Sequence, residues 1–265
     1  MDYLAILKSI RPKKRLGQNF LINSRIAELE ASYGAGKCVL ELGPGTGMLT
    51  NELCKVAKSV IAVEKDPVLY SLLESSMQCS RLKLIKGDFF KLDDKQIEGV
   101  EILIANIPYN LSSKVINWLS AHKIPALLCM QKEFVEHMLA KSDTRKYSKL
   151  SVIASLEFTI YKMMDIKAGN FFPRPKVDST IVFIKPKASV PNEIGSIMKA
   201  LMNHKKKKLK NAIVDARESL GISEEKALEI SKLLPNGEER VFKMKPESIE
   251  RTAEAISRLL HRKSE

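Results

Sequence analysis

The chain has 265 residues, 45% hydrophobic and 28% charged, which allows a sizeable core and excludes a disordered or fibrous chain. Its 44 Lys and Arg against 31 Asp and Glu give a net charge of +13. So large an excess points to a polyanionic partner, nucleic acid before a membrane surface; solubility alone accounts for a few of those charges.

The opening stretch MDYLAILKSIRPKKRLGQNFL has one short apolar run before its basic residues. It reads as neither signal peptide nor membrane span, and no later segment is apolar for long enough to span. Cys38, Cys54, Cys79 and Cys129 form no CxxC and have no histidine at ligand spacing. They are read as reduced thiols, with no metal expected, in a soluble cytoplasmic protein.

From Lys37 to about Lys185, short β-rich runs alternate with helical stretches. KCVLELG, SVIAVEK, LKLIKGD, EILIANI, PALLCMQ, LEFTIYKMM and STIVFIKPK read as strands. Segments 46–57, 67–78, 112–121 and 131–141 have helical spacing. Continuously apolar strands separated by helices imply a mostly parallel, doubly wound α/β sheet of seven strands, covered on both faces. The last two strands lack a helix between them, so an antiparallel hairpin is expected at one sheet edge, with a reversed edge strand. KPKASVPNE (185–193) reads as a linker, and 193–219, 223–233 and 246–262 read as helices. The expected domains are 1–187 and a small, basic α-helical domain over 188–265.

VLELGPGTGMLT places Gly43, Gly45 and Gly47 directly after the first strand, where glycines let the backbone turn tightly against a ligand. Glu64 ends the second strand, where a carboxylate can accept both ribose hydroxyls. Asp88 and Phe89 follow the third. A dinucleotide enzyme would show GxGxxG. GxGxG with Glu41 ahead and a second acid after the third strand fits S-adenosylmethionine better, with Asp88 at the adenine amino group and Phe89 beside the ring. The plainer alternative is that both acids are turn residues.

Ligands in such sheets bind at the carboxyl ends of the strands, and Asn106-Ile107-Pro108-Tyr109 occupies the fourth. An exocyclic amine on an aromatic base is a poor nucleophile, because its lone pair is delocalised into the ring. The Asn106 side-chain oxygen and the Pro108 carbonyl could take its hydrogens and draw the nitrogen toward tetrahedral geometry, the proline fixing its neighbours rigidly. Tyr109 could stack on the base. Proximity would supply most of the acceleration. In FFPRPKVDS, Pro173 and Pro175 stiffen a loop carrying Arg174 and Lys176, suited to a flipped-out base with phosphates alongside. Phe171 is expected at the base and Phe172 in the core.

KKRLGQNFL (13–21), ELGPGTG (41–47), Glu64, GDFF (87–90), NIPYN (106–110) and FFPRPKVDS (171–179) stand in the order found in the ribosomal RNA adenine N6,N6-dimethyltransferases of the KsgA type. The sequence resembles that family from about Lys13 to Lys187, and NHKKKKLKNAI (203–213) looks like its basic C-terminal helix. The resemblance implies methyl transfer from S-adenosylmethionine to N6 of two adjacent adenosines near the 3′ end of small-subunit rRNA during ribosome biogenesis. It puts cofactor contacts on Gln18, Asn19, Leu21, Gly43, Gly45, Glu64, Lys65, Asp88, Phe89 and Asn106. Target-base contacts fall on Asn106, Pro108, Tyr109 and Phe171. Ile107 stands where the family often has Leu, and lysines replace arginines in the basic run, which weakens bidentate phosphate contact.

Lys13, Lys14, Arg15, Arg174, Lys176, Lys205, Lys206, Lys207, Lys208 and Lys210 are the expected RNA contacts. Phosphate contacts position RNA without reading it. On a helix, Lys205 to Lys208 could not share one face. The four histidines show no catalytic spacing. The alternatives are a large-subunit rRNA adenine methyltransferase of the resistance type, or a non-catalytic RNA-binding assembly factor. A DNA adenine methyltransferase fits less well, because its usual tetrapeptide begins with Asp. A monomer acting on immature small subunits is the expectation.

Overall fold

A computed structural model describes residues 10–187 and 190–261. The chain divides into two compact units. The first runs through Val135 and resumes at Ile160–Pro186; the second comprises Glu136–Thr159 and the chain from Lys187 onward. The second unit therefore takes in residues 136–159, which a linear boundary at 187 assigns to the first.

The first unit is built on seven strands in the order β4-β3-β2-β5-β6-β9-β7. These are β2 (Cys38–Leu42), β3 (Ser59–Glu64), β4 (Leu82–Lys86), β5 (Ile102–Asn106), β6 (Ala126–Gln131), β7 (Phe158–Ile166) and β9 (Ser179–Pro186). Pairings β2–β3, β2–β5, β3–β4 and β5–β6 are parallel, and β6–β9 is antiparallel. Each expected strand is present, with one shift: LEFTIYKMM begins later, because Leu156 and Glu157 still belong to the helix Lys149–Glu157.

The last two strands do lie side by side at one sheet edge, but the reversed strand β9 is the inner of the two. β9 inserts between β6 and β7, and β7 is outermost. The burial of the two strands explains the order. Ser179 to Val182 and Ile184 are buried, as a strand flanked on both sides requires, whereas the middle of β7 is exposed. Its Lys162 and Asp165 are the charges that protect a sheet edge from pairing with another chain.

Two short strands that the sequence did not announce, β1 (Phe20–Leu21) and β8 (Phe171–Phe172), pair antiparallel with Phe20 opposite Phe172 and Leu21 opposite Phe171. The helix Ser24–Ser32 was also unforeseen; it is capped by Asn23, whose side chain accepts from the Arg25 N–H. Helices Met48–Val56, Pro67–Ser76, Ser112–His122 and Lys132–Met138 stand where the spacing predicts them. The core of this unit is a contiguous cluster from β2, β3, β5 and β6 with Ile26, Leu49 and Leu53 from the helices. Cys54 and Cys79 are joined as a disulfide, with Cα atoms 6.3 Å apart; Cys38 and Cys129 are free thiols. The reading of four reduced thiols is thus corrected for one pair, which a sequence separation of 25 hides from motif spacing.

In the second unit, helices Lys149–Glu157, Asn192–Asn203, Leu209–Asp215, Arg217–Leu220, Glu224–Leu233 and Pro246–His261 enclose a core that includes Tyr147, Leu201, Ile213, Val241 and Ile256. The expected helix over 193–219 breaks after Asn203, so Lys205–Lys208 lie on a turn rather than on a helix. That turn is tied down by main-chain bonds from Val241 N–H to Lys207 and from Phe242 N–H to Lys205. Among the described residues no helix is long and apolar enough to cross a membrane.

Tyr147 is fully buried and its hydroxyl donates to the Met244 carbonyl at 3.0 Å. Removing that hydroxyl (Tyr147→Phe) strands a buried acceptor and should cost about 1 kcal/mol in urea unfolding. An unchanged midpoint would show that the carbonyl finds another donor.

Candidate active site

Because β2 to β6 run parallel, their carboxyl ends open along one edge of the sheet, and strand order reverses beside β2. There a cleft encloses about 860 Å³ of empty space, its open mouth included. Gln18, Asn19, Gly43, Gly45, Glu64, Lys65, Asp88, Phe89, Asn106, Pro108, Tyr109 and Phe171 all line it. Leu21 lies instead in an adjoining smaller cavity with Glu41, Gly43 and Asn106.

Gly43 has φ +67°, and a Cβ built there meets nothing within 4 Å. It leaves the cleft open where any side chain would intrude, in a conformation that favours glycine. Gly17 is tight instead: a Cβ would lie 2.7 Å from Asn110 Oδ1. The KKRLGQNFL segment therefore packs its backbone directly on the turn after β5.

Glu64 is 5% exposed. Its two oxygens accept from the N–H groups of Gly45 (3.2 Å) and Asp66 (2.7 Å), which leaves a further lone pair on each. Burial raises its pKa, against those two bonds. Asp88 pairs with Lys65 at 2.8 Å and caps Phe90 N–H; the Lys65 bond holds its carboxyl low. Asp66 is anchored from the N-terminal segment. Lys13 Nζ donates to it at 2.6 Å and Gln18 Nε2 at 2.9 Å. Burial opposes its ionisation, but these bonds hold its pKa down. Lys13 thus spends its charge on a buried aspartate, and Gln18 reaches the cleft while bonded to the same group.

At the end of β5, Asn106 Nδ2 donates to Glu30 at 2.9 Å, while Asn106 Oδ1 is buried with no partner. Ile107 N–H holds the turn to β6 through the Cys129 carbonyl, 3.1 Å. The Pro108 carbonyl accepts from Leu111 N–H at 2.8 Å, so one of its lone pairs is already in use. The Tyr109 hydroxyl is bonded to Ser179 Oγ at 2.8 Å, and burial raises its pKa.

Of the two phenylalanines, Phe172 departs from its expected place in the core, while Phe171 is buried but still lines the cleft. Phe171 is 5% exposed and belongs to the core, showing only part of its surface to the cleft; Phe172 is 44% exposed. Successive residues of β8 face opposite ways, and pairing with Leu21 turns Phe171 inward. In the basic run, Lys205 donates to the Tyr147 carbonyl, Lys207 pairs with Asp215, and Lys208 and Lys210 both pair with Glu238. Lys205 and Lys206 are the two in that run without a carboxylate partner among the described residues. Lys14, Arg15, Arg174 and Lys176 are exposed.

The model of the family "Ribosomal RNA adenine dimethylase" matches residues 10–254. The chain belongs to the ribosomal RNA adenine dimethylase family.

Among curated relatives it is 35% identical to a probable ribosomal RNA small subunit methyltransferase A of Thermococcus gammatolerans, over 91% of this chain and 88% of the other. A protein of the same description from Methanopyrus kandleri is 34% identical, over 98% and 99%. Among solved structures, a dimethyladenosine transferase from Plasmodium falciparum is similar with a TM-score of 0.76 and 26% identity, covering 91% of this chain and 98% of that one. The dimethylase reaction is methyl transfer to adenine of ribosomal RNA, and its methyl donor is S-adenosylmethionine.

The residues present fit that donor. Gly43 leaves room for it, Glu64 keeps a lone pair on each oxygen for ribose hydroxyls, and Asp88 with Phe89 stands at the next strand end. When bound, the donor would supply an electrophilic methyl on a sulfonium. Sequence reasoning missed two polar partners of the dimethylase cleft. Ser179 was in plain view within FFPRPKVDS but carried no signal of its contact with Tyr109. Glu30 had none at all, since its helix was not foreseen.

Burial pushes both Glu30 and Glu41 up to about 8, and for Glu41 the Glu30 and Glu64 carboxylates add to the effect. An unfolded glutamate ionises near 4.5. Between these values the folded chain binds more protons than the unfolded one, so stability should fall as pH rises from about 5 to about 8 and then level off. Glu41→Gln should flatten that fall by at least about 1 kcal/mol between pH 5 and 9 in denaturant unfolding. An identical slope in wild type and variant would show that Glu41 ionises normally in the fold.

Proposed function

We propose that this chain dimethylates N6 of two adjacent adenosines near the 3′ end of small-subunit ribosomal RNA, within immature small subunits in the cytoplasm, and that it acts as a monomer. The observation that carries the reading is that Asn106, a residue of the cleft wall, has its Oδ1 buried and unpartnered while the other end of the amide is engaged by Glu30. A buried acceptor without a donor is costly. An exocyclic amine supplies the missing donor.

The N6 hydrogens would be shared between Asn106 Oδ1 and the remaining lone pair of the Pro108 carbonyl. Withdrawing the amine from conjugation directs its lone pair at the methyl. Tyr109, fixed through Ser179, offers a ring for the base. The methyl acceptor loses its proton after transfer, so no strong base is needed beforehand, and alignment supplies most of the rate. Phosphate contacts fall to Lys14, Arg15, Arg174, Lys176 and Lys206. Lys207, Lys208 and Lys210, already paired with carboxylates, contribute less. Exposed Phe172, beside Arg174 and Lys176, is the better placed of the two phenylalanines for stacking outside the cleft. Transfer to large-subunit RNA is the second enzymatic reading and is not favoured by the small-subunit relatives.

The test is incubation with methyl-labelled S-adenosylmethionine and immature small subunits, followed by nucleoside mapping. N6,N6-dimethyladenosine at two neighbouring positions is expected. Label confined to large-subunit RNA or DNA would overturn the assignment. Replacing Lys14 and Arg15 by Gln should flatten the slope of log affinity against log salt by about one to two, and Lys207→Gln by less. Equal slopes throughout would place the RNA elsewhere.

A further inference from the structure

Glu30 has no place in the family motifs from which the site was first read, yet it is 1% exposed and sits behind the methyl-acceptor wall on the helix Ser24–Ser32. Burying a carboxyl is expensive unless its hydrogen bonds compensate. Its side-chain partner across the fold is Asn106, 76 residues away, at 2.9 Å.

An asparagine amide has two unlike ends, an oxygen that accepts and an NH2 that donates. Half a turn of the amide exchanges them without altering its shape. On the cleft wall the exchange would be decisive. An amine acceptor presents N–H donors, so an amide turned the wrong way would set donor against donor. An ionised carboxylate behind the amide removes the ambiguity, because its oxygens only accept and can meet only the NH2 end. The neutral acid keeps an accepting carbonyl oxygen but adds an O–H that the amide oxygen can also take. Holding the NH2 end leaves Oδ1, buried and unpartnered on a residue that lines the cleft, as the end available to a ligand there.

We propose that Glu30 is a positioning residue that fixes the Asn106 amide with Oδ1 toward the methyl acceptor. The proposal rests on the reading of this cleft as an adenine N6 site. It bears on both methylations. After the first transfer the nitrogen keeps a single hydrogen, and an amide free to turn over would fail to hold it as often as it succeeded.

The test combines a spectroscopic and a kinetic measurement on the full chain with S-adenosylmethionine and immature small subunits. The side-chain amide resonance of Asn106 is assigned by its loss in Asn106→Ala. Its hydrogens should exchange slowly in wild type and lose that protection in Glu30→Ala. Single-turnover transfer by Glu30→Ala should fall by about 10²-fold, as misaligned groups do, while the dissociation constant for S-adenosylmethionine stays within about threefold. Glu30→Gln, whose carbonyl can accept from the same NH2 but whose own NH2 can instead meet Oδ1, should recover only part of the protection and of the rate. The double variant Glu30→Ala/Asn106→Ala should be no slower than Asn106→Ala alone.

Transfer by Glu30→Ala within about twofold of wild type would overturn the proposal, as would additive losses in the double variant. A loss of donor affinity as large as the loss of rate would also overturn it. Should Glu30→Ala not fold, the wild-type chain decides: an Asn106 side-chain amide that exchanges as fast as an exposed one overturns the assignment. If the wild-type chain methylated no adenine at all, the functional reading would fail, and amide protection would still decide the Glu30–Asn106 contact separately.

Discussion

Parallel hydrogen bonding among β2, β3, β4, β5 and β6 is the constraint on which the rest of the first unit depends. Strands that run the same way must end on the same side. Each carboxyl-terminal turn is then free to carry chemistry while the strand behind it stays apolar and fixed. Gly43, Glu64, Asp88 and Asn106 are far apart in the chain and share one cleft for this reason. The pairing that breaks the pattern, β6 with β9, brings Ser179 to the same edge by starting a strand there instead of ending one. That is how the Tyr109 hydroxyl finds its partner.

The cleft is unusual in the number of carboxyl groups it keeps out of water. Glu30, Glu41 and Glu64 are all buried, and burial raises the pKa of each. The fold tolerates this because each group has a task that ionisation or an acceptor oxygen serves. Glu64 organises the backbone of the Gly45 loop and the start of the next helix, Glu30 holds an amide, and Glu41 lines the adjoining cavity. A donor carrying a positive sulfonium suits such surroundings, since it favours the ionised forms that burial resists.

Basic residues divide into two kinds that composition cannot separate. Lys13, Lys65, Lys207, Lys208 and Lys210 are paired with carboxylates and help hold the structure. Others are exposed, Lys14, Arg15, Arg174 and Lys176 among them. The net charge of +13 still describes attraction to a polyanion at long range. The residues that touch it are a smaller set than the densest runs suggest.

Strand content, glycine loop and strand-end acids were legible in the sequence because each depends on local chemistry: apolar continuity, backbone freedom and the position of an acid just past a strand. The turn after β5 was legible for the same reason, as an amide, a proline and a ring in one short run. What only the tertiary structure decided depends on contacts between distant segments. β9 takes an inner position because its buried residues need neighbours on both sides, while the charged face of β7 can stand at the edge. Phe171 turns inward because it pairs with Leu21. Cys54, on the helix Met48–Val56, meets Cys79 in the loop between the helix Pro67–Ser76 and β4. Glu30 meets Asn106 across 76 residues, and no local pattern encodes which end of an amide a distant carboxyl will hold. The sequence by itself determined the strand-end groups of the cleft; packing determined which way they face and which distant partners, Glu30 and Ser179, meet them.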